Sequence, residues 1–317
     1  MRLEEIYRLA IDMGSHADPR GIEKVEKDLA ASAKAWQNLC EDEKEFFDIE
    51  RLKNPYADTR ILTGEKDCQV NRILVGIDME VGEVLLAEQL QNRGIDIDLI
   101  LAHHPEGCAL ARLADVMHLQ KGHLTSYGVP ANIAYPIMEE RIAEIDRAFS
   151  PTNHYRAVDT AALLGFNFMC VHTPADNLAT EYLRNFLQVR EEESLSDVIK
   201  GLKTIPEYSI ATKRGAGPRI LNGDKNCPLG QVYVDFTGGT SGPDENIKAL
   251  VRAGVNTIVC MHIPEKNLKT AKEYHLNVIL AGHMSSDSLG MNLFLDEIEC
   301  RGVEVIPTSG LIRIKRK

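Results

Sequence analysis

The sequence lacks the cysteine pattern of a disulfide framework or a zinc ribbon. Its seven cysteines stand at positions 40, 68, 108, 170, 227, 260 and 300, an odd number in which no two have Cys-x-x-Cys spacing. This usage fits a reducing compartment and excludes the small disulfide-stapled classes. At 317 residues the chain can bury a substantial core without disulfides or structural metal ions, so a metal site in it is expected to be functional.

Long apolar runs and clustered positive charge are also missing. No segment approaches the roughly 20 apolar residues of a membrane span, and the N-terminal stretch MRLEEIYRLAIDMGS carries acids where a secretory signal needs an apolar core. The formal net charge of -11 disfavours general binding to phosphate backbones. The one basic run, at 313–317, is expected to be a solvated terminus. We therefore predict a cytoplasmic protein with neither a membrane nor a nucleic-acid partner.

The apolar pattern indicates an α/β protein. Residues 1–54 read as a helical N-terminal extension that ends at Asn54-Pro55. Apolar runs of strand length then alternate with helical stretches, which is typical of βαβ units and mainly parallel sheets with helices on their faces. The alternation breaks after the acidic run Glu191-Glu192-Glu193. We predict a first lobe over 55–190, a connecting segment over 191–225 and a second lobe over 226–317.

The predicted elements can be stated by range. The predicted strands are 72–78, 97–102, 167–171, 231–236, 256–261, 277–281 and 303–306. The predicted helices between and after them are 81–93, 109–119, 137–149, 244–253, 266–274 and 286–300.

One kind of junction recurs four times: a strand-like run ends in histidine, and an acid follows near a helix start. The stretches are LILAHHPE (99–106), FMCVHTPAD (168–176), IVCMHIPE (258–265) and VILAGHMSSD (278–287). Because the carboxyl ends of parallel strands lie along one edge of a sheet, these junctions are expected to meet. Imidazole and carboxylate ligands suit Zn, Fe, Mn, Co or Ni. Two such ions about 3.5–4 Å apart can activate a bound water for a displacement reaction.

Each junction also has a purely structural interpretation. Asp176 follows Thr173-Pro174 as the third residue of a capping arrangement, and Asp287 can complement the helix dipole in a first turn. Two adjacent histidines such as His103 and His104 are hard to provide with hydrogen-bond partners in a core, which favours a role as metal ligands. His172 and His262 are candidates for proton transfer or metal support, with hydrogen-bonded structure as the alternative.

The remaining histidines and the glycine-rich loop give weaker signals. The loop TGGTSGP (237–243) lies between a strand and a helix and could cradle a phosphate. It lacks the Gly-Lys-Ser/Thr ending of a P-loop, so a tight turn is favoured. Surface positions are expected for the histidines at 16, 118, 123, 154 and 275.

With these residues in view, the chain resembles the Nif-three-like family, also called GTP cyclohydrolase I type 2-like, over residues 55–317. The resemblance rests on the order and spacing of DLILAHHP (98–105), HTPADN (172–177) and GHMSSD (282–287), with VGID (75–78) as an opening strand. It implies a three-layer α/β fold in two lobes and a site with two divalent metal ions. It also implies a ring-shaped homohexamer. The metal ligands implied by the family pattern are His103, His104, Asp176, His283 and Asp287.

The sequence also departs from the family pattern. Position 287 usually carries Glu, one methylene longer than the Asp found here, and the 1–54 and 120–155 segments are longer than usual. We predict a metal-dependent hydrolase acting on a nucleotide, phosphoester or cyclic C–N substrate, with His172 as a proton carrier and Asp176 as the bridging carboxylate. The alternatives are a metal carrier or storage protein, a regulatory scaffold, or a site that has decayed through the change at Asp287.

Overall fold

A computed structural model describes residues 1–190 and 194–317, and the acidic run at 191–193 lies outside the described residues. The chain forms two separate sheets with helices on their faces, so the predicted α/β class is confirmed. None of the helices in the described ranges is both long enough and apolar enough to span a bilayer.

The first sheet has the order β1-β4-β3-β2-β9. Strands β2, β3, β4 and β9 run parallel, and β1 runs antiparallel to β4 at one edge. Four of the five strands overlap the predicted runs, and β1 is an edge strand that the apolar pattern did not indicate. The strands are β1 (Arg60–Thr63), β2 (Arg72–Gly76), β3 (Leu99–Ala102), β4 (Asn167–Cys170) and β9 (Glu304–Pro307).

The second sheet repeats the first. Its order is β5-β8-β7-β6, with β5 antiparallel to β8 and the rest parallel. Its edge strand has the sequence RILNG (219–223), close to RILTG (60–64) at the edge of the first sheet. The register shift within β5 matches the one in β1. The strands are β5 (Arg219–Asn222), β6 (Val232–Asp235), β7 (Thr257–Cys260) and β8 (Asn277–Leu280).

Strand β9 pairs with β2 in register from Arg72 opposite Glu304 to Val75 opposite Pro307. The sequence-based division groups the 303–306 strand with the second lobe, whereas this pairing puts it in the first sheet. The chain therefore returns to the first sheet after completing the second, and the two halves of the sequence are interlinked.

Helices cover both faces of both sheets. On the outer face of the first sheet, α4 (Val81–Gln91) and α9 (Arg156–Leu163) pack on Leu74, Ile100 and Phe168. On the outer face of the second sheet, the helices between 113 and 149 pack with α13 and α14 on Tyr233, Ile258 and Val278. The 109–119 region forms short helices instead of one. The helices of this outer group are α6 (Leu113–Val116), α7 (His118–Ser126), α8 (Ala131–Phe149), α13 (Asp244–Arg252) and α14 (Glu265–Glu273), whereas α5 (Gly107–Ala111) packs on the first sheet.

Two long helices lie between the sheets. In α10 (Thr173–Arg190), Ala175 faces the first sheet while Ala179 and Leu183 face the second. In α15 (His283–Cys300), Met291 and Phe294 face the first sheet and Leu289 faces the second. Each helix follows the last parallel strand of its own half. The other helices are α1 (Leu3–His16), α2 (Ile22–Gln37), α3 (Glu41–Glu45), a 3-10 turn (Ile49–Leu52), α11 (Leu195–Leu202) and α12 (Pro206–Lys213).

Two expectations about single segments are wrong. His123 is fully buried, with Nδ1 3.2 Å from the Tyr233 hydroxyl, because α7 packs on the second sheet. The basic run at the C-terminus is docked on α15 and α12 through its two arginines: the Arg313 guanidinium donates to Asp296 at 2.6 Å and the Arg316 guanidinium to Glu207 at 2.6 Å. Opposite charges on the surface it meets hold it there.

Candidate metal centre

The histidine junctions of the two sheets meet at one place. His103 and His104 follow β3, His172 follows β4 just before α10, and His283 begins α15 after β8. The ring centroids of His103 and His172 are 5.0 Å apart, and those of His104 and His283 are 5.3 Å apart. The predicted convergence is thus observed, but between the carboxyl ends of two facing sheets and not along one edge.

Asp287 lies at the centre of the cluster. Its Oδ1 is 3.7 Å from His103 Nε2, and its Oδ2 is 3.6 Å from His104 Nε2 and 3.6 Å from His283 Nε2. These separations are too long for hydrogen bonds. They are close to the spacing of about 3.4 Å between two ligands that share a tetrahedral ion at about 2.1 Å from each.

Asp176 extends the cluster toward the first sheet. Its Oδ1 is 3.5 Å from His103 Nε2, and its Oδ2 is 3.8 Å from His172 Nε2. Three groups of ligand atoms are close enough to hold an ion. These groups are His103, Asp176 and Asp287; His104, His283 and Asp287; and His103, His104 and His172.

The buried polar atoms of the cluster have no partners of their own. In the part of the chain that the structure describes, His103 Nε2, Asp176 Oδ1 and both carboxylate oxygens of Asp287 are buried without a hydrogen bond. Leaving carboxylate oxygens buried and unpaired is costly. A bound cation would satisfy all four atoms at once, so the residues present fit the metal centre that the family pattern implies.

A second layer of hydrogen bonds orients three of the histidines. His103 Nδ1 is 3.0 Å from the Val171 carbonyl, His104 Nδ1 is 2.6 Å from Asp78 Oδ1, and His172 Nδ1 is 2.8 Å from Asp58 Oδ2. Each contact occupies Nδ1 and turns Nε2 toward the cluster, which is how metal-binding histidines are commonly held.

Sequence reasoning missed the two carboxylates in this layer. Asp78 ends the opening strand motif VGID, so its position at a strand end was a usable signal. Asp58 lies in the segment before β1, far from any histidine in sequence, and only the fold brings it to His172. Asp58 also accepts a hydrogen bond of 2.6 Å from the Thr173 hydroxyl.

The Thr173 cap and the first-turn position of Asp287 are not observed, whereas Asp176 does lie in the first turn of α10. The Thr173 hydroxyl donates to Asp58, and the Asp176 backbone N–H bonds to the His172 carbonyl at 3.1 Å. Thr173 therefore does not form the expected cap. Asp287 is the fifth residue of α15, beyond the first turn where a carboxylate complements the helix dipole.

Two effects set the protonation states of the cluster: burial, and the charges that neighbouring histidines and aspartates place on one another. Burial opposes ionisation of Asp287, but His103 and His104 outweigh it and hold the Asp287 pKa below its ordinary value. Burial also opposes protonation of His104, yet Asp287 and Asp78 raise the His104 pKa to about 10. Burial raises the Asp176 pKa well above its ordinary value. Because a metal binds neutral imidazole, ion binding would displace a proton from His104.

The glycine-rich loop 237–242 covers the second-sheet side of the cluster. Gly238 and Gly239 have φ values of +100° and +86°, which favour glycine. The Gln120 side chain donates to the Gly238 and Thr240 carbonyls, both at 2.6 Å, and pins the loop to α7. Two acids, Asp244 and Glu245, stand in the first turn of the following helix and disfavour a phosphate there.

The loop and the end of β6 add two groups that the motifs did not identify, Ser241 and Asp235, beside the junction histidine His262. Ser241 Oγ is 3.0 Å from His262 Nδ1, and the His262 ring lies 4.9 Å from His283. Asp235, at the end of β6, lines the same cavity, and its removal from water raises its pKa to about 6. The cavity between this wall and the cluster measures about 30 Å³.

Comparison with known proteins was made on sequence and on structure. No protein-family model and no curated protein matches the sequence. A NIF3 superfamily protein from Sphaerobacter thermophilus is similar with a TM-score of 0.72 and 26% identity, over 83% of this chain and 94% of that chain. Reduced HcgD from Methanocaldococcus jannaschii is similar at a lower level, with a TM-score of 0.47 and 13% identity over 78% of this chain and 87% of that chain. The resemblance indicated by the sequence motifs is confirmed, since the chain shares its fold with a NIF3 superfamily protein over most of both chains.

Proposed function

We propose that the chain binds two divalent metal ions and is a metal-dependent hydrolase. The observation that carries the proposal is the buried carboxylate of Asp287, which lacks a hydrogen-bond partner within the described ranges and faces His103, His104 and His283. Such a carboxylate needs positive charge, and three imidazole Nε2 atoms stand where ligands of a shared ion would stand.

The proposed ligand set is His103, His104, Asp176, His283 and Asp287. Asp287 belongs both to the group with His103 and Asp176 and to the group with His104 and His283. This double membership favours Asp287 as the bridging carboxylate over Asp176, the residue that the sequence analysis assigned to that role. The ions can be Zn, Fe, Mn, Co or Ni, since all of them accept imidazole and carboxylate ligands.

The proposed reaction is hydrolysis of a nucleotide, phosphoester or cyclic C–N substrate. When bound, paired ions lower the pKa of a coordinated water and polarise the group under attack. His172 is proposed as the proton carrier, because Asp58 fixes its Nδ1 and leaves its Nε2 facing Asp176. Its pKa is raised: burial opposes protonation, and Asp176 and Asp58 outweigh that effect. A GTP cyclohydrolase-like ring opening is the specific version that the family label suggests.

A non-enzymatic metal carrier or storage protein is the second candidate. The observation that favours it is the cavity of about 30 Å³ beside the cluster, which leaves space for little more than the ions and a water or two. A hydrolase would have to admit its substrate from the open side, where the His104 and His283 side chains are 26% and 39% exposed.

Elemental analysis after metal loading and desalting tests the site. We expect about two ions per chain in the wild type and near none in His103→Ala/His104→Ala, because both ligand groups lose a member. His16→Ala/His275→Ala, at two exposed positions, is the matched control and should keep both ions. One ion in the wild type would point to a second site weakened by the short Asp287 side chain, to be tested with Asp287→Glu. No ion in the wild type would contradict the proposal.

Turnover separates the hydrolase from the carrier. His172→Gln should keep its metal but lose about 100-fold or more in rate on a phosphoester, nucleotide or cyclic amide substrate, because it removes the proton carrier. Absence of turnover on the whole panel, combined with rapid transfer of the ions to an apo acceptor, would favour the carrier.

The larger-scale proposals follow the family resemblance. We propose a cytoplasmic homohexamer with an N-terminal extension over 1–54, lobes over 55–190 and 226–317, the second of which adds β9 to the first sheet, and a connecting segment over 191–225. Sedimentation analysis should then give six times the chain mass of 35.3 kDa. A species of one or two chains would contradict the hexamer.

A further inference from the structure

A second cavity, larger than the one at the metal centre, lies on another side of the molecule. It measures about 510 Å³ and opens between α2, the segment 51–57 and the helices α6–α8. Pockets that bind small molecules commonly measure about 300–1,000 Å³. Among the described residues, none that lines this cavity also lines the cavity at the metal centre. We call this second cavity the α2–α7 cleft.

One wall of the α2–α7 cleft is rigid. The Arg20 guanidinium donates to Asp18 at 2.8 and 2.9 Å and to Asp28 at 2.8 Å, and its side chain is 7% exposed. Its aliphatic part passes over Gly122, where a Cβ would lie 2.7 Å from Arg20 Cδ. The absence of a side chain at Gly122 therefore leaves room for Arg20. The three hydrogen bonds hold Arg20 in this position without a ligand.

Side chains of α7 present hydrogen-bond donors to the cleft. The buried Lys121 ammonium contacts Glu139, donates to His118 Nδ1 at 2.7 Å, and lies 5.3 Å from the Tyr135 ring centre. Because His118 accepts at Nδ1, its Nε2 carries the hydrogen and is a donor. Burial lowers the His118 pKa most, and the positive charge of Lys121 lowers it further, so the ring stays neutral.

The acids of the α2–α7 cleft are already engaged, whereas one of its cations is free. Asp28 pairs with Arg20 and Lys24, and Asp115 lies 3.9 Å from Arg112. Arg51 lies over the Phe47 ring and has no acidic partner in the described part of the chain. Donors thus outnumber free acceptors, and an incoming acceptor group would meet guanidinium, ammonium and imidazole N–H groups.

We propose that the α2–α7 cleft binds a small anionic ligand, a carboxylate or phosphate monoester with an apolar body. The anionic group would contact Arg51 and Lys121, and the apolar body would pack on Leu29, Val116 and Leu119, which line the same space. Charge-assisted hydrogen bonds of this kind are the strong ones in ligand recognition. The cleft lies largely between the 1–54 and 120–155 segments, by which the sequence departs from the family pattern.

Calorimetric titration with phenyl phosphate and with benzoate tests this site, with benzyl alcohol as the neutral control. We expect saturable binding of at least one anion and at least tenfold weaker binding of benzyl alcohol, since only the anions use the donors. The titration is repeated on His103→Ala/His104→Ala, a variant in which the metal centre can no longer bind phosphate. If this variant still binds the anion, the binding site is not the metal centre, and the result does not depend on the proposed hydrolase function.

Variants locate the binding. Arg51→Gln should weaken the anion about tenfold, and Lys269→Gln, an exposed charge on α14, should have no effect. Ser32→Trp should block the cleft without a change of charge. Melting curves show that each variant is folded, and the exposed position of Arg51 makes its replacement tolerable. Equal affinity for benzyl alcohol, no binding of either anion, or binding indifferent to Arg51→Gln and Ser32→Trp would each overturn the proposal.

Discussion

At the scale of single residues, the fold gives the same side chain very different tasks. His103 and His104 are neighbours in sequence, yet the first is fully buried with Nδ1 on a carbonyl and the second is partly exposed with Nδ1 on Asp78. His123, on α7, contacts two tyrosines and no carboxylate among its described contacts. Burial lowers the pKa of both His103 and His123, whereas at His104 burial is outweighed by Asp287 and Asp78, which raise its pKa.

His123 provides a prediction about pH. Burial lowers its pKa to about 3, whereas an unfolded histidine titrates near 6.5. The stability that neutral His123 contributes is therefore fully present above pH 6.5 and is lost as the pH falls toward 3, by at most about 1.4 kcal/mol for each pH unit. His123→Phe should reduce the slope of unfolding free energy against pH between 6 and 4.

Urea denaturation at several pH values measures this slope. The comparison uses slopes, because His123→Phe also removes a partner of the Tyr233 hydroxyl and lowers stability at every pH. His16→Phe, at an exposed position, is the matched control. Identical slopes for His123→Phe and the wild type would show that His123 is not the acid-sensitive group.

At the scale of elements, the metal centre depends on how closely α10 and α15 cross. A Cβ at Gly290 of α15 would lie 2.1 Å from the carbonyl oxygen of Ala175 in α10. Glycine at this position lets the helix backbones touch, one residue away from Asp176 and one helical turn from Asp287. The two carboxylates therefore approach each other because their helices do.

Gly290→Ala should destabilise the chain and weaken metal binding. The added methyl meets backbone atoms that cannot rotate away, so we expect a loss of about 2 kcal/mol or more in unfolding free energy. Gly82→Ala in α4, where a Cβ would meet nothing within 4 Å, is the matched control and should stabilise by about 0.5–1 kcal/mol. Denaturation curves and metal titration of both variants check this. An unchanged metal affinity in a destabilised Gly290→Ala chain would separate the helix crossing from the site.

At the scale of the whole molecule, two similar halves are interlinked by the end of the chain. After α15 the chain adds β9 to the first sheet and then docks its basic run on α15 and α12. Glu207 of α12 is fully buried and bonds to Asn292 of α15 as well as to Arg316. The docked run thus ties together α12 and α15, two helices that pack on the second sheet.

Arg316→Met should destabilise the molecule by about 2–4 kcal/mol, because it leaves the buried Glu207 carboxylate without its cation. Lys315→Met is the matched control. The Lys315 side chain is 64% exposed and pairs with Glu299 at the surface, so its loss should cost less than about 1 kcal/mol. Thermal unfolding of both variants measures the difference. Equal small losses would mean that the docked run does not stabilise the core.

Much of this architecture was accessible from the sequence. The strands at 72–76, 99–102, 167–170 and 257–260 lie within the predicted runs, because buried parallel strands are continuous apolar segments. The convergence of the histidine junctions was also predicted, but the structure brings them together from the carboxyl ends of two facing sheets and not from one common edge. The edge strands β1 and β5 were missed, because half-exposed edge strands are neither continuously apolar nor clearly alternating.

The amino-acid sequence by itself determined the elements, the ligand-type residues and the places where they follow strands, since these depend on local periodicity and spacing. Only the tertiary structure decided that two sheets face each other across α10 and α15, that Asp58 and Asp78 orient His172 and His104, and that His123 is buried. It also decided that the basic run is docked and that Asp287 is central to the cluster. These features join residues far apart in the chain, and contacts of that kind depend on how whole faces pack together.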